Sequence, residues 1–313
     1  MTNLTAARCA AAYAACERDA RRHYENFPVA SRLLPPRLRP HVAAVYAFAR
    51  AADDFADEGE RSVEERHGLL DGWLRRLEHA AVSDRPGPTP TPGEPLHSVE
   101  IFTALGATIR TCALPLALFT DLVSAFRQDI TTNRYASWAD LLDYCRRSAN
   151  PVGRLVLRLD GCSNPALDEA SDAVCTALQL TNFLQDVKID ADRGRIYLPM
   201  EELFTHRARE EDLMRGEISR EWRAALASVA QRTRGMFDAG RRVCDAVHGR
   251  LRYELRVTWL GGIRILDHLE TVDFDVVRAR PRLGSADAPW FLWHMVRWST
   301  SGPAGSPTRS RMR

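Results

Sequence analysis

A chain of 313 residues with 45% hydrophobic and 27% charged residues has the makeup of a folded globular protein, which excludes a disordered or fibrous one. Its net charge of +2 comes from 43 basic and 41 acidic residues intermixed along the sequence, without the basic block of a nucleic-acid binder, so no nucleic-acid partner is expected. Seven cysteines, odd in number and with no CxxC pair, point to small core residues in a reducing, cytoplasmic setting.

Small apolar and charged positions alternate at helical period from about residue 4 to 24, which predicts a first helix. Arg8 and the charges over 17–22 interrupt any signal-peptide core, and no later run approaches the roughly 18 apolar residues of a membrane-spanning helix. Pro40 suits the first turn of a second helix ending near Gly59, and Ser62 with Glu65 forms a capping-box pair for a third, to about Ala81. Residues 83–98 are a Pro-rich connector. Further helices are predicted at about 99–112, 115–127, 137–147, 152–159 and 168–190. Near Gly194 the pattern gives way to an extended segment, RIYLP, and helices resume at about 201–207, 219–248 and 253–269. No strand-period run of useful length occurs, so the predicted fold is all-α, one large helical domain over 1–298 with a disordered tail at 299–313.

Two stretches carry chemistry. In QLTNFLQDVKIDADRGRIYLP, Asn182, Asp186 and Asp190 stand four apart and line one helix face. In AFARAADDFADE, Asp53 and Asp57 repeat that spacing on a helix whose preceding residues are apolar. One turn of helix, roughly 6 Å, is too long for two carboxylates to chelate one small ion, but it suits Mg²⁺ ions that complete their shells with water and phosphate. Two such ladders facing across a cavity would gather divalent ions around a departing diphosphate. Because the ladders flank the Pro-rich connector and need to meet, that connector is read as a loop and not as a domain boundary.

Taken together these segments resemble the squalene and phytoene synthase family, YAFARAADDFADE matching its first Asp-rich motif and QLTNFLQDVKIDADRGRIYLP its second. ENFPVAS, FRQDITTNRY and YCRRSANPVGRLVL are similar to the hydroxysqualene synthase branch. The resemblance implies an isoprenoid synthase fold with a central cavity, and conversion of presqualene diphosphate to hydroxysqualene with capture of a carbocation by water. It implies Mg²⁺, with Mn²⁺ as an alternative, held by Asp53 and Asp57 with Asp54 in support, and by Asn182, Asp186 and Asp190. Arg50, Lys188 and Arg195 then correspond to diphosphate-holding positions. Tyr46, Tyr144, Gln179 and Tyr197 correspond to the cavity lining, and Phe27 to an aromatic near the prenyl tail. No GxGxxG fingerprint is present and a water-terminated reaction needs no hydride donor, so NADPH independence is expected.

Two positions depart from the family pattern. Tyr24-Glu25-Asn26-Phe27 stands where many members have Ser-x-Ser-Phe, and Gln185 stands where many have Arg. Both changes remove phosphate-binding groups, which suits a substrate with one diphosphate. Two other readings compete: head-to-head condensation of farnesyl or geranylgeranyl diphosphate, and a non-catalytic relative acting as an assembly or lipid-binding factor. Several residues have a plain structural alternative. Tyr46 and Tyr144 suit an ordinary core, Arg50 an intrahelical ion pair, Asn150-Pro151 a helix start and Gly153 close helix packing. Trp290, Trp293 and Trp298 with Phe291, Leu292, Met295 and Val296 form a C-terminal patch open to two readings, packing on the body and peripheral docking on a bilayer.

Overall fold

In the computed structural model, which describes residues 3–22, 33–84, 87–278 and 280–299, regular structure is helical, and an isolated bridge between Arg134 and Ile196 is its one β-type pairing. In chain order the helices are α1 (Asn3–Arg22), α2 (Arg39–Asp57), α3 (Val63–Val82), α4 (Ser98–Cys112), α5 (Leu116–Asp129), α6 (Trp138–Ser148) and α7 (Asn150–Leu159). There follow α8 (Pro165–Asp192), α9 (Met200–His206), α10 (Glu210–Met214), α11 (Arg220–Gly240), α12 (Val243–Ala246), α13 (Gly249–Thr271) and, after a 3₁₀ turn at Ser285–Asp287, α14 (Ala288–Val296). None of the described helices is long and apolar enough to cross a membrane.

The predicted start signals operate as their chemistry requires. Pro40 lies in the first turn of α2, and Ser62 and Glu65 form both halves of a capping box on α3. Asn150-Pro151 opens α7, two residues earlier than periodicity alone indicated. The expected single helix over 219–248 is instead two, α11 and α12, broken after Gly240, where the chain lies so close to α8 that a Cβ would come within 2.5 Å of the Ala170 carbonyl oxygen. Two short elements went unpredicted. α10 has five residues, too few for a period to show, and α14 is apolar on every side.

Two long helices organise the rest. α2 is packed by α1, α3, α4 and α5, over an aromatic cluster in which Phe48, Phe55 and Phe102 contact Trp73 and the Trp73 indole N–H donates to the Phe48 carbonyl at 3.2 Å. α8 is packed by α6, α7, α11 and α13. α5, α6 and α7 pack on one another and join the two groups, and the C-terminal end of α2 faces the turn after α8, with Arg195 and Asp57 bridging them.

Both ends are held by local chemistry. Arg66 of α3 donates to the α2 carbonyls of Phe55 at 3.0 Å and Ala56 at 2.6 Å, and to Gly59 at 2.8 Å, satisfying acceptors that a helix end leaves open. α8 stops at Gly194, whose φ of +80° is a left-handed conformation that a side chain disfavours. The RIYLP segment then runs beside residues 133–136, with the Ile196 N–H donating to the Asn133 carbonyl at 3.0 Å and the Met200 N–H to Tyr135 at 2.8 Å. All seven cysteines carry free thiols, with Cys16, Cys145 and Cys244 buried.

Gly153 has the packing role the sequence suggested, since a Cβ there would lie 2.3 Å from Ser171 Oγ and 2.5 Å from Cys175 Sγ on α8. Gly153→Ala is therefore expected to lower stability by about 1–3 kcal/mol, the usual cost of overpacking, and thermal unfolding of the two proteins measures it.

Candidate active site

The gap between the ends of α2 and α8 is where the two acidic ladders meet. On α8 the Asn182 amide donates to Asp186 Oδ2 at 2.9 Å, so the first two rungs lie on one face as the four-residue spacing requires. Arg195, in the turn after α8, reaches across to α2 and grips Asp57 with both guanidinium nitrogens, at 2.9 and 2.6 Å. The same guanidinium donates to the Asp129 backbone carbonyl at 3.1 Å. A single side chain thus ties the first ladder, the second ladder's exit and the end of α5 together.

The proximity perturbs the carboxyls. Burial, then the charge of Asp186 and in smaller part that of Asp57 on the other helix, pushes the Asp190 carboxyl up to about 7. Asp129 is pushed up to about 7 by burial, with further repulsion from Asp57 and Asp53, against the Tyr144 hydroxyl that donates to its Oδ2 at 2.9 Å and the positive charge of Arg195.

The carboxylates are held by arginines. Arg280, from the segment after α13, engages Asp186 through Nε and, at 2.9 Å, through Nη2. Arg50 Nε pairs with Asp54 at 2.8 Å and its Nη2 with Glu58 at 3.1 Å, the intrahelical pairing that was its structural alternative. Lys188 pairs with Asp192 one turn on and lies two residues, about 200° of helix, away from Asp186, so it is not among the groups gathered at the ladders.

An aromatic wall adjoins the charges. Phe183 and Tyr197 stack at 3.9 Å between centroids, and Tyr135 and Tyr144 join them at 5.4–6.3 Å. Burial raises the hydroxyl pKa of Tyr135, Tyr144 and Tyr197 well above that of a free phenol, so all three stay protonated. Gln179 lies half-buried on α8 one turn before Asn182, and Tyr46 is half-buried on α2. Phe27 and residues 24–26 lie outside the described residues.

Sequence reading did not single out Asp129, Arg280, Tyr135 or Phe183. Asp129 and Tyr135 belong to FRQDITTNRY, a segment noticed for its likeness alone, and Arg280 lies 94 residues from its partner. Gln185 is buried and donates to the Pro281 carbonyl at 2.8 Å, so it anchors the segment that carries Arg280. The guanidinium of Arg280 on the second ladder thus comes from the C-terminal side.

Asp53, Asp57, Asn182, Asp186 and Asp190 offer the hard oxygen donors that Mg²⁺ takes, and the raised carboxyls of Asp129 and Asp190 mark a surplus of negative charge that cations would relieve. Among the described residues no three His, Cys, Asp or Glu side chains converge as a self-sufficient metal site. A donor set of this kind fits ions whose shells are completed by a ligand's oxygens.

The squalene/phytoene synthase family model matches residues 20–287. The chain is 35% identical over 257 residues to a hydroxysqualene synthase of Sinorhizobium fredii, covering 82% of each protein. It is 31% identical over 281 residues to a 15-cis-phytoene synthase of Synechococcus elongatus, covering 86% of this chain and 87% of that one. The crystal structure of squalene synthase HpnC from Alicyclobacillus acidocaldarius superposes with a TM-score of 0.76 at 38% identity, over 85% of this chain and 95% of that one.

A buried carboxyl raised from an ordinary 3.8 to about 7 takes up a proton on folding between those values. Its contribution is present at low pH and lost as pH rises through about 7, so without divalent cations the protein is expected to lose stability from pH 5 to 8. Thermal unfolding across that range measures the slope, which Asp129→Asn should reduce, leaving the part that Asp190 contributes.

Proposed function

Because the chain belongs to the squalene/phytoene synthase family, enzymes that process prenyl diphosphates, we propose that it converts presqualene diphosphate to hydroxysqualene with loss of diphosphate. The supporting observation is the pair of opposed acidic ladders, each clamped by one arginine, beside an aromatic wall. Two arginines at one gap, with Gln185 turned to the backbone, suit a single diphosphate.

Mg²⁺ held by Asp53, Asp57, Asn182, Asp186 and Asp190, with Asp54 in support, would neutralise the charge that develops on the leaving diphosphate. Arg195 and Arg280 are then free to turn from Asp57 and Asp186 to phosphate oxygens, which guanidinium groups bind in the same forked manner. The faces of Tyr144, Phe183 and Tyr197 carry negative quadrupole density and would stabilise a carbocation beside them without reacting. Asp129, buried under Tyr144, keeps that ring's hydroxyl engaged. Water closes the reaction, and no hydride donor takes part.

Condensation of two simple prenyl diphosphates is the second reading, favoured by the match to a phytoene synthase over most of the chain. Mass spectrometry of products from purified protein with Mg²⁺ separates the two. Hydroxysqualene from presqualene diphosphate, nothing from farnesyl or geranylgeranyl diphosphate alone, and no change on adding NADPH are expected. Product from a simple prenyl diphosphate alone would overturn the proposal. Asp186→Ala should lower turnover by about 10²-fold or more, the scale of losing a main electrostatic support.

The place of reaction belongs to the same reading. A substrate made elsewhere from two farnesyl diphosphates is a lipid, and peripheral membrane contact would link this chain to the enzyme that supplies it. The C-terminal patch divides in the structure. Trp298 packs on Trp259 and donates to Asp245 at 2.9 Å, whereas Leu292, Trp293 and Val296 of α14 are 68%, 54% and 77% exposed. Arg297 stacks on Trp293 at 3.9 Å, which puts a cation beside the apolar face, as binding to an anionic bilayer requires. Leu292→Glu with Trp293→Glu is expected to reduce co-sedimentation with anionic lipid vesicles, and unchanged binding would remove α14 from the contact.

A further inference from the structure

A separate pocket lies at the opposite end of α3 from the candidate site. Near its start α3 carries Arg66, which holds the end of α2, and His79 lies in its last turn, about 20 Å further along the helix axis. There α1, α3, α4 and the Pro-rich connector enclose a pocket of about 380 Å³. That volume is in the range of small-ligand sites, and no step of the proposed reaction uses it.

The connector forms a wall that is tied down. Its prolines limit the backbone, and Glu94 pins it to α3 by accepting from Arg76 Nη1 at 2.5 Å while also accepting from the Thr91 N–H at 3.2 Å and hydroxyl at 2.9 Å. Arg76 is buried, its guanidinium lies 4.7 Å over the Phe102 ring of α4, and its Nε has no hydrogen-bond partner. Gly106 lets α4 approach α3, since a Cβ there would come within 2.5 Å of the Ala80 carbonyl oxygen. Arg110, one turn on, donates through Nη1 to that carbonyl and to the Ser83 carbonyl at 3.0 Å, closing the end of α3.

Three arginines thus line one pocket: Arg76, Arg110 and, from α1, Arg8. Arg76 is paired with Glu94, whereas among the described residues neither Arg8 nor Arg110 has a carboxylate partner. Asp84 is the one acidic side chain in the described lining, so cationic groups prevail, and Phe102 and Val99 supply apolar surface beside them. We propose that this pocket binds a small organic phosphate, a monoester whose apolar part rests against Phe102. Guanidinium groups take phosphate oxygens in forked pairs, and a monoester carries close to two negative charges and three acceptor oxygens, enough to engage Arg8 and Arg110 together. A carboxylate, with one charge and two oxygens, would satisfy one of them. The site goes beyond the reaction at the acidic ladders and shares none of its residues.

Isothermal titration calorimetry of the full chain tests this, with phenyl phosphate and benzoate as probes and EDTA present so that no divalent cation draws phosphate to the ladders. Wild type is expected to bind phenyl phosphate about tenfold more tightly than benzoate. Arg8 is exposed, so Arg8→Glu leaves the core intact, and it is expected to weaken phenyl phosphate by about tenfold or more, the scale of a lost charged hydrogen bond. Thr103→Trp fills the pocket without a change of charge and is expected to abolish binding, which gives an answer also if Arg8→Glu does not fold. Arg280→Ala, at the acidic ladders, is expected to leave binding unchanged. No binding to wild type, equal binding of benzoate, wild-type affinity in Arg8→Glu or Thr103→Trp, or loss of binding in Arg280→Ala each overturns the proposal. None of these readouts depends on the reaction, so the hydroxysqualene reading stands or falls separately.

Discussion

The forked pair between Arg195 and Asp57 is the contact on which the site depends. It spans 138 residues of sequence and joins the end of α2 to the turn after α8, with the Asp129 carbonyl as a third point of attachment. Five acidic side chains near one gap would otherwise push the two helix ends apart, and two of them, Asp129 and Asp190, already hold their protons more tightly than free carboxyls. Arginine is suited to this position because its planar fork can pass from a carboxylate to a phosphate without new geometry. In the structure the fork is closed on Asp57.

α8 gives the site its polarity. Its C-terminal half presents Asn182, Asp186 and Asp190 to the gap, while the half before Leu178 is packed so closely that Gly153 of α7 and Gly240 of α11 abut it without room for a side chain. Glycine contact of this kind lets helix backbones approach and leaves only a water-sized cavity among aliphatic walls. One helix of 28 residues carries the charged rungs and the close apolar packing in sequence, over about 42 Å.

Local relations were legible in the sequence, and long-range ones were not. The ladders follow from four-residue spacing, the start of α3 from Ser62 and Glu65, and the end of α8 from Gly194, because each is settled by neighbours within a turn. That the ladders had to meet was inferred from charge, and Arg195 was placed through family likeness. Nothing within a turn of Asp129 announces that Tyr144 and Arg195 will close over it, and nothing near Arg280 names Asp186. The break after Gly240 is likewise a consequence of α8 lying against it, invisible to the propensity of residues 219–248. Lys188 shows the reverse case, a residue inside a motif whose helix face directs it to Asp192.

Gln185 and Arg280 act together on the second ladder. An arginine at position 185 would sit on α8 itself, fixed to the ladder it neutralises. With glutamine there, the amide holds the Pro281 backbone and the neighbouring Arg280 delivers the charge. The segment bearing Arg280 continues to Asp287, which is tied to Arg264 at 2.7 Å and His268 at 3.0 Å on α13, and then directly into α14. The cation on the second ladder is thus part of a strap anchored at both ends, at Gln185 and at Asp287. Residues 281–287 thus join the arginine that balances Asp186 to the start of the exposed apolar helix.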